Sequence, residues 1–125
     1  MKPVSHSPDR RRVLLVEDEY LIAIDMKRML EAHGCEIVGA AASVEAARAI
    51  LNTAELDLAI LDVGLTDGAV YPLIDDLERR RVPYAFATGY DPAALPASEA
   101  NTPRLEKPVN PDLINDILKR TCARN

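Results

Sequence analysis

The chain has 125 residues and a formal net charge of -5, a length that suits one domain with a sizeable core but is too short for two. The acidic balance argues against non-specific nucleic-acid binding through a basic surface, and no apolar run is long enough to cross a membrane. The two cysteines, Cys35 and Cys122, form no disulfide framework and fit a reducing compartment. We therefore expect a cytoplasmic protein without nucleic-acid or membrane partners, in which residues 1–11 are a disordered leader.

Strands and helices are predicted to alternate from residue 12 onwards. Residues 13–16 form a continuous apolar run, typical of a strand buried on both faces. Helical spacing begins at Tyr20, and Gly34 is a natural stop for that helix. Residues 36–40 predict a second strand, and Ser43 is placed to cap a second helix. The positions expected to face inward on this second helix are Ala46, Ala47, Ile50 and Leu51.

The alternation continues through the second half of the chain. The third strand, residues 58–61, is apolar throughout and ends at Asp62. Residues 83–88 predict a fourth strand and residues 104–105 a weak fifth, whereas any helix within residues 90–102 should be short because prolines interrupt it. Pro72 is tolerable in the first turn of the third helix, and Asn110 and Pro111 begin the last one. The positions expected to face inward on these two helices are Val70, Leu73, Ile74, Leu77, Leu113, Ile114, Ile117 and Leu118.

This alternation predicts an α/β fold with a five-stranded, parallel, doubly wound sheet and helices on both faces. In the flavodoxin-like strand order 2-1-3-4-5, the first and third strands are neighbours. Glu17 and Asp18 follow the first strand, and Asp62 ends the third. Because the carboxyl ends of parallel strands meet at one edge of the sheet, these three carboxylates should converge there.

The predicted carboxylate cluster indicates a cation site. Taken alone, Asp18 could cap a helix and Asp62 could close a turn. Three converging carboxylates repel one another, however, and a hard divalent ion such as Mg2+ would offset that repulsion while keeping several waters in its shell. Gly64 could add a backbone carbonyl. Neither His6 nor His33 is placed for a zinc site.

Two more polar residues are predicted to reach the same edge. Thr88 ends the fourth strand, and Lys107 follows the fifth. A lone threonine or lysine is normally a cap or a surface charge. At this edge, a hydroxyl and an ammonium would supply the hydrogen bond and the charge balance that a phosphoryl group on a carboxylate needs.

Together these residues resemble the receiver domain of two-component response regulators, from Arg12 to about residue 120. The resemblance implies a receiver domain over residues 12–122 with a short tail at 123–125. It implies that Asp62 accepts a phosphoryl group from a kinase phosphohistidine and that Asp18 binds Mg2+ directly and Glu17 through water. It also implies that Thr88 and Lys107 hold the phosphoryl oxygens.

The segment FATGY, which ends at Tyr90, is similar to the motif of the divergent FAT GUY branch of stand-alone receivers. Arg104 stands where receivers usually have Tyr or Phe, and the segment after Asp62 lacks a common proline. Tyr90 and Arg104 are therefore our candidate switch residues. Because no output domain follows residue 120, we expect a single-domain regulator that acts as a shuttle, a phosphate sink or a protein-binding switch. Its partners would be a sensor histidine kinase or phosphotransfer protein and a possible downstream protein.

Three other functions share parts of this pattern. A haloacid dehalogenase-type phosphatase needs a second aspartate two residues after its nucleophile, and that position is Gly64. A flavin carrier needs a glycine- and hydroxyl-rich phosphate loop after the first strand, where this chain has acidic residues. A pseudo-receiver that only binds partners would not need the five site residues. We therefore expect a signalling protein and not an enzyme.

Overall fold

The computed structural model of the chain describes residues 11–62, 71–88, 102–106 and 110–121. Strands and helices alternate along these residues until β4 and β5. The elements are β1 Arg12–Val16, α1 Tyr20–Ala32, β2 Glu36–Ala41, α2 Val44–Leu51, β3 Leu58–Asp62, α3 Tyr71–Arg79, β4 Tyr84–Thr88, β5 Arg104–Glu106 and α4 Pro111–Thr121. None of the helices in these ranges has the length and apolar character needed to cross a membrane.

The five strands form one parallel sheet in the order β2-β1-β3-β4-β5, which confirms the predicted topology. In the register of the central strands, Val16 lies beside Leu61 and Asp62 lies beside Ala87. β1 and β3 are apolar and fully buried over almost their whole length, as expected for strands covered on both faces. The carboxyl ends of β1 and β3 are therefore adjacent and rigidly supported.

Alternate residues of each strand enter two separate cores, one on each face of the sheet. α2 and α3 cover one face, where Leu14, Leu61 and Phe86 are buried. α1 and α4 cover the other, where Leu15, Ile60 and Leu105 are buried. The predicted placement of helices on both faces is confirmed.

Two helices end in the same hydrogen-bonding motif. After α1, Gly34 adopts a φ of 86°, and its N–H and that of the next residue bond back to carbonyls of the last turn at 3.0 Å each. After α3, Arg81 takes the equivalent position with a φ of 58°, and Val82 N–H reaches the Leu77 carbonyl at 2.9 Å. This left-handed conformation suits glycine and is unfavourable for arginine.

Two predictions of inward-facing positions are wrong. Ala46 is exposed because α2 is short and turns Val44, Ala47 and Leu51 toward the sheet instead. Leu113 is 38% exposed because the buried face of α4 is formed by other residues, namely Ile114, Ile117 and Leu118. Val70 and most of residues 90–102, for which the sequence also makes predictions, lie outside the described residues.

Candidate metal centre at the carboxyl edge of the sheet

Glu17, Asp18 and Asp62 form an acidic cluster at the carboxyl ends of β1 and β3. One carboxylate oxygen from each residue lies within 4.8 Å of the other two. Glu17 is 4% exposed and Asp62 is 3% exposed, whereas Asp18 is only partly buried. The register explains this convergence, because Val16 pairs with Leu61 and the next residue of each strand is acidic.

The backbone around Glu17 fixes its position. Its N–H donates to the carbonyl of Ala41, the last residue of β2, at 2.9 Å. Its carboxylate oxygen Oε2 accepts the backbone N–H of Glu19 at 3.1 Å. Glu19 is the N-cap of α1, so Glu17 is held between the end of β2 and the start of a helix. The positive end of the α1 dipole lies beside the cluster and favours negative charge there.

The donor set of the acidic cluster fits a hard divalent cation. Three carboxylates supply oxygen ligands, and one oxygen from each leaves coordination positions for water or for an oxygen of a substrate. Nitrogen and sulfur donors lie elsewhere in the described ranges, since His33 bonds to the Met29 carbonyl at 2.8 Å and Cys35 is buried in the α1–α4 core. The cluster therefore has the donor chemistry of a site for a hard divalent cation, and Mg2+ is compatible with it.

The structure describes the remaining predicted site residues only in part. Thr88 is the last residue of β4 and pairs with Glu106 of β5, which places it at the same sheet edge as Asp62. Arg104 is partly buried on β5 and pairs with Phe86. Gly64, Tyr90 and Lys107 lie outside the described residues.

Two features of the structure were not predicted from the sequence. The Ala41 carbonyl holds Glu17, and no sequence pattern marks a backbone acceptor of this kind. Asp76 on α3 is 8% exposed and, within the described residues, joins Glu17 and Asp62 as a buried charged residue. Its position between Leu73 and Leu77 in the helical period was a usable signal, because a carboxylate there faces inward.

Comparison with known proteins identifies the family to which this fold and acidic site correspond. The response regulator receiver domain family matches residues 13–119. Sensory transduction protein LytT of Bacillus cereus is 34% identical over 113 residues, which cover 87% of this chain and 46% of LytT. The chain thus spans about half the length of the curated relatives it matches.

Two solved structures add to this comparison. The BeF3-activated conformation of SdrG from Pseudomonas melonis is 33% identical, with a TM-score of 0.78, and the match covers 89% of this chain and 95% of that one. The anti-anti-sigma factor PhyR of Bartonella quintana is 29% identical, with a TM-score of 0.77, over 90% of this chain and 47% of that one. The chain belongs to the response regulator receiver domain family of two-component systems, which confirms the resemblance seen in its sequence.

Proposed function

We propose that Asp62 accepts a phosphoryl group from the phosphohistidine of a sensor histidine kinase or phosphotransfer protein. A carboxylate oxygen of Asp62 attacks phosphorus, the new O–P bond replaces the P–N bond, and the electron pair of that bond stays on the departing imidazole. The observation that carries this proposal is the position of Asp62, which is buried at the end of a central strand within 4.8 Å of two further carboxylates. Family membership supports the same role.

We assign the cation site to Mg2+, with Glu17, Asp18 and Asp62 as its acidic residues and Gly64 as the source of a backbone carbonyl. When bound, Mg2+ would neutralise negative charge on the carboxylates and on the incoming phosphoryl oxygens. Without the ion, the negative charges of Glu17 and Asp18 would repel a phosphate group that approaches Asp62. Thr88 and Lys107 are our candidates for the residues that hold the phosphoryl oxygens, and the position of Thr88 at the end of β4 supports this assignment.

The proposed biological role is that of a stand-alone regulator in the cytoplasm. SdrG supports this, since the match covers 95% of its chain and so involves a protein of receiver length. Phosphorylation would then make the domain a shuttle, a sink or a switch that binds another protein. PhyR is an anti-anti-sigma factor, which favours a protein target over nucleic acid. We expect no turnover of an external substrate.

The switch is proposed to involve Tyr90 and Arg104, in keeping with the FAT GUY resemblance. Arg104 is partly buried beside Phe86 on the edge strand β5. A guanidinium is always charged and forms directional hydrogen bonds to anions. A response of Arg104 to phosphorylation would therefore be electrostatic, unlike the rotation of an aromatic ring.

Intact-mass measurement after incubation with acetyl phosphate tests the chemistry directly. Wild-type protein should gain one phosphoryl group in the presence of Mg2+ and none with EDTA. Asp62→Asn should gain none, whereas Asp57→Asn, at the residue just before the start of the same strand, should behave as wild type. Labelling of the Asp62→Asn variant would contradict the assignment of the acceptor.

A further inference from the structure

Asp76 is a buried carboxylate that the proposed phosphoryl chemistry does not use. It lies on α3 at 8% exposure, and both of its oxygens are engaged by arginines. Arg48 Nε on α2 donates to Oδ2 at 2.7 Å, and Arg79 on α3 itself donates to Oδ1. We name the Arg48–Asp76 contact the interhelix pair, because it joins α2 to α3, whereas the Arg79 contact stays within α3.

The interhelix pair is directional, unlike the apolar contacts between the two helices; at the ends of the same helices, Arg80 Nη2 also donates to Asn52 Oδ1 at 2.8 Å. Ala47 and Leu51 of α2 share one apolar core with Leu73 and Leu77 of α3. Burial of apolar surface is non-directional, so it leaves the rotation and sliding of the two helices weakly specified. A charged hydrogen bond with fixed geometry specifies one arrangement, and conformational specificity is the best-supported use of buried ionic groups.

The two helices that the pair joins are each connected to one side of the acidic cluster. α2 follows β2 closely, and the last residue of β2, Ala41, accepts the N–H of Glu17. α3 is the first described element after Asp62. A shift of α2 against α3 therefore displaces the end of β2, whose Ala41 carbonyl holds Glu17, and changes the position of Glu17 relative to Asp62.

We propose that Asp76, acting through Arg48, is a positioning residue that sets the spacing of Glu17 and Asp62 in the acidic cluster. This inference rests on the proposed metal site for one of its readouts. Asp76 itself touches neither the proposed metal ion nor the reacting atoms. Its effect is transmitted by the rigid placement of two helices, and effects of this kind change binding at the distant site by about 2- to 30-fold.

Two matched substitutions separate positioning from simple stabilisation. Arg48→Met removes the interhelix pair but leaves Asp76 bonded to Arg79, so the buried carboxylate keeps a cationic partner and the fold should persist. Arg79→Met removes an arginine from the same carboxylate but keeps the link between the helices. Both side chains retain much solvent exposure, at 49% and 70%. The two variants therefore differ in whether the Arg48–Asp76 contact between α2 and α3 is present, and the Arg80–Asn52 contact stays in both.

The first readout is the Mg2+ dissociation constant from calorimetric titration of the full chain well below its melting temperature. Arg48→Met should raise this constant by about 3- to 30-fold, and Arg79→Met should change it by less than about 2-fold. Equal effects of the two substitutions, or no effect of Arg48→Met, would overturn the proposal. Arg48→Lys should recover part of the affinity, because it restores the charge without the fork of the guanidinium.

The second readout needs no metal. In 15N-labelled protein with EDTA, Arg48→Met should shift the backbone amide resonances of Glu17 and Asp62, and Arg79→Met should leave them in place. Failure of the wild type to bind Mg2+ would refute the proposed metal site but leave this comparison decisive. Unshifted Glu17 and Asp62 amides in Arg48→Met would refute the positioning role.

Discussion

Asp62→Asn should stabilise the metal-free protein while abolishing its chemistry. The substitution keeps the shape of the side chain and removes one of three negative charges whose oxygens lie within 4.8 Å of one another. Two unit charges at that distance repel by about 3.5 kcal/mol at an effective dielectric constant near 20. Solvent and salt weaken this value around the partly exposed Asp18, so we expect the free energy of unfolding to rise by about 1–3 kcal/mol. For a domain of this size, that is roughly 3–10 °C in melting temperature.

In the presence of Mg2+, the wild type should become more stable than Asp62→Asn. A ligand that binds only the folded state adds about 2.7 kcal/mol at 100 times its dissociation constant, and the wild type should gain this stabilisation whereas Asp62→Asn should gain much less. Thermal unfolding followed by circular dichroism, in EDTA and across a Mg2+ titration, measures both effects. Asp57→Asn is the control, since Asp57 accepts the Arg12 N–H at 2.9 Å outside the cluster. An Asp62→Asn variant that is less stable than wild type in EDTA, or equally responsive to Mg2+, would refute the reasoning.

Further predictions concern the helix ends. Gly34→Ala should lower the free energy of unfolding by about 1 kcal/mol, although a Cβ there meets no atom within 4 Å, because φ is 86°. Arg81→Gly, in the same motif, should raise the free energy of unfolding by about 0.5–1 kcal/mol. If urea denaturation showed that both substitutions change the stability in the same direction, backbone conformation at these positions would not be the cause. Ser43→Ala should cost about 1 kcal/mol, because the Ser43 hydroxyl accepts the Ala46 N–H at 3.1 Å; an unchanged urea midpoint would show that the cap contributes little.

The fold could be predicted because local patterns and the global topology agree in this chain. Uninterrupted apolar runs such as residues 13–16 and 58–61 fit strands buried on both faces, and these are the strands at the centre of the sheet. Helix signals were equally local, since Gly34 and Ser43 act through their own backbone neighbours. The acidic cluster followed from strand order alone, because adjacent parallel strands deliver their last residues to one place.

The features that could not be predicted depend on tertiary contacts. Leu113 has the residue type of a core position, but the orientation of α4 against the sheet leaves it 38% exposed. The helical period of α3 places Asp76 on the inward face, but its arginine partners on two helices could not be predicted from that pattern. The Ala41 carbonyl accepts the Glu17 N–H, and the pattern of side chains in the sequence does not indicate such a backbone contact. Each of these features depends on how helices and strands pack against one another and not on the sequence pattern of any single element.

The placement of the acidic cluster also explains how the chain can hold mutually repelling charges without losing its fold. Glu17 directly follows β1 and Asp62 is the last residue of β3. The apolar residues of these two central strands are almost completely buried. Burial of these side chains stabilises the sheet by roughly 1.5–3 kcal/mol for each large aliphatic residue, and summed over the apolar residues of both strands this stabilisation exceeds the repulsion expected within the cluster. The strands cannot separate to relieve the charges, so the repulsion persists in the folded state. A cation or a phosphoryl group that changed the charge at this edge would therefore act on a preorganised site.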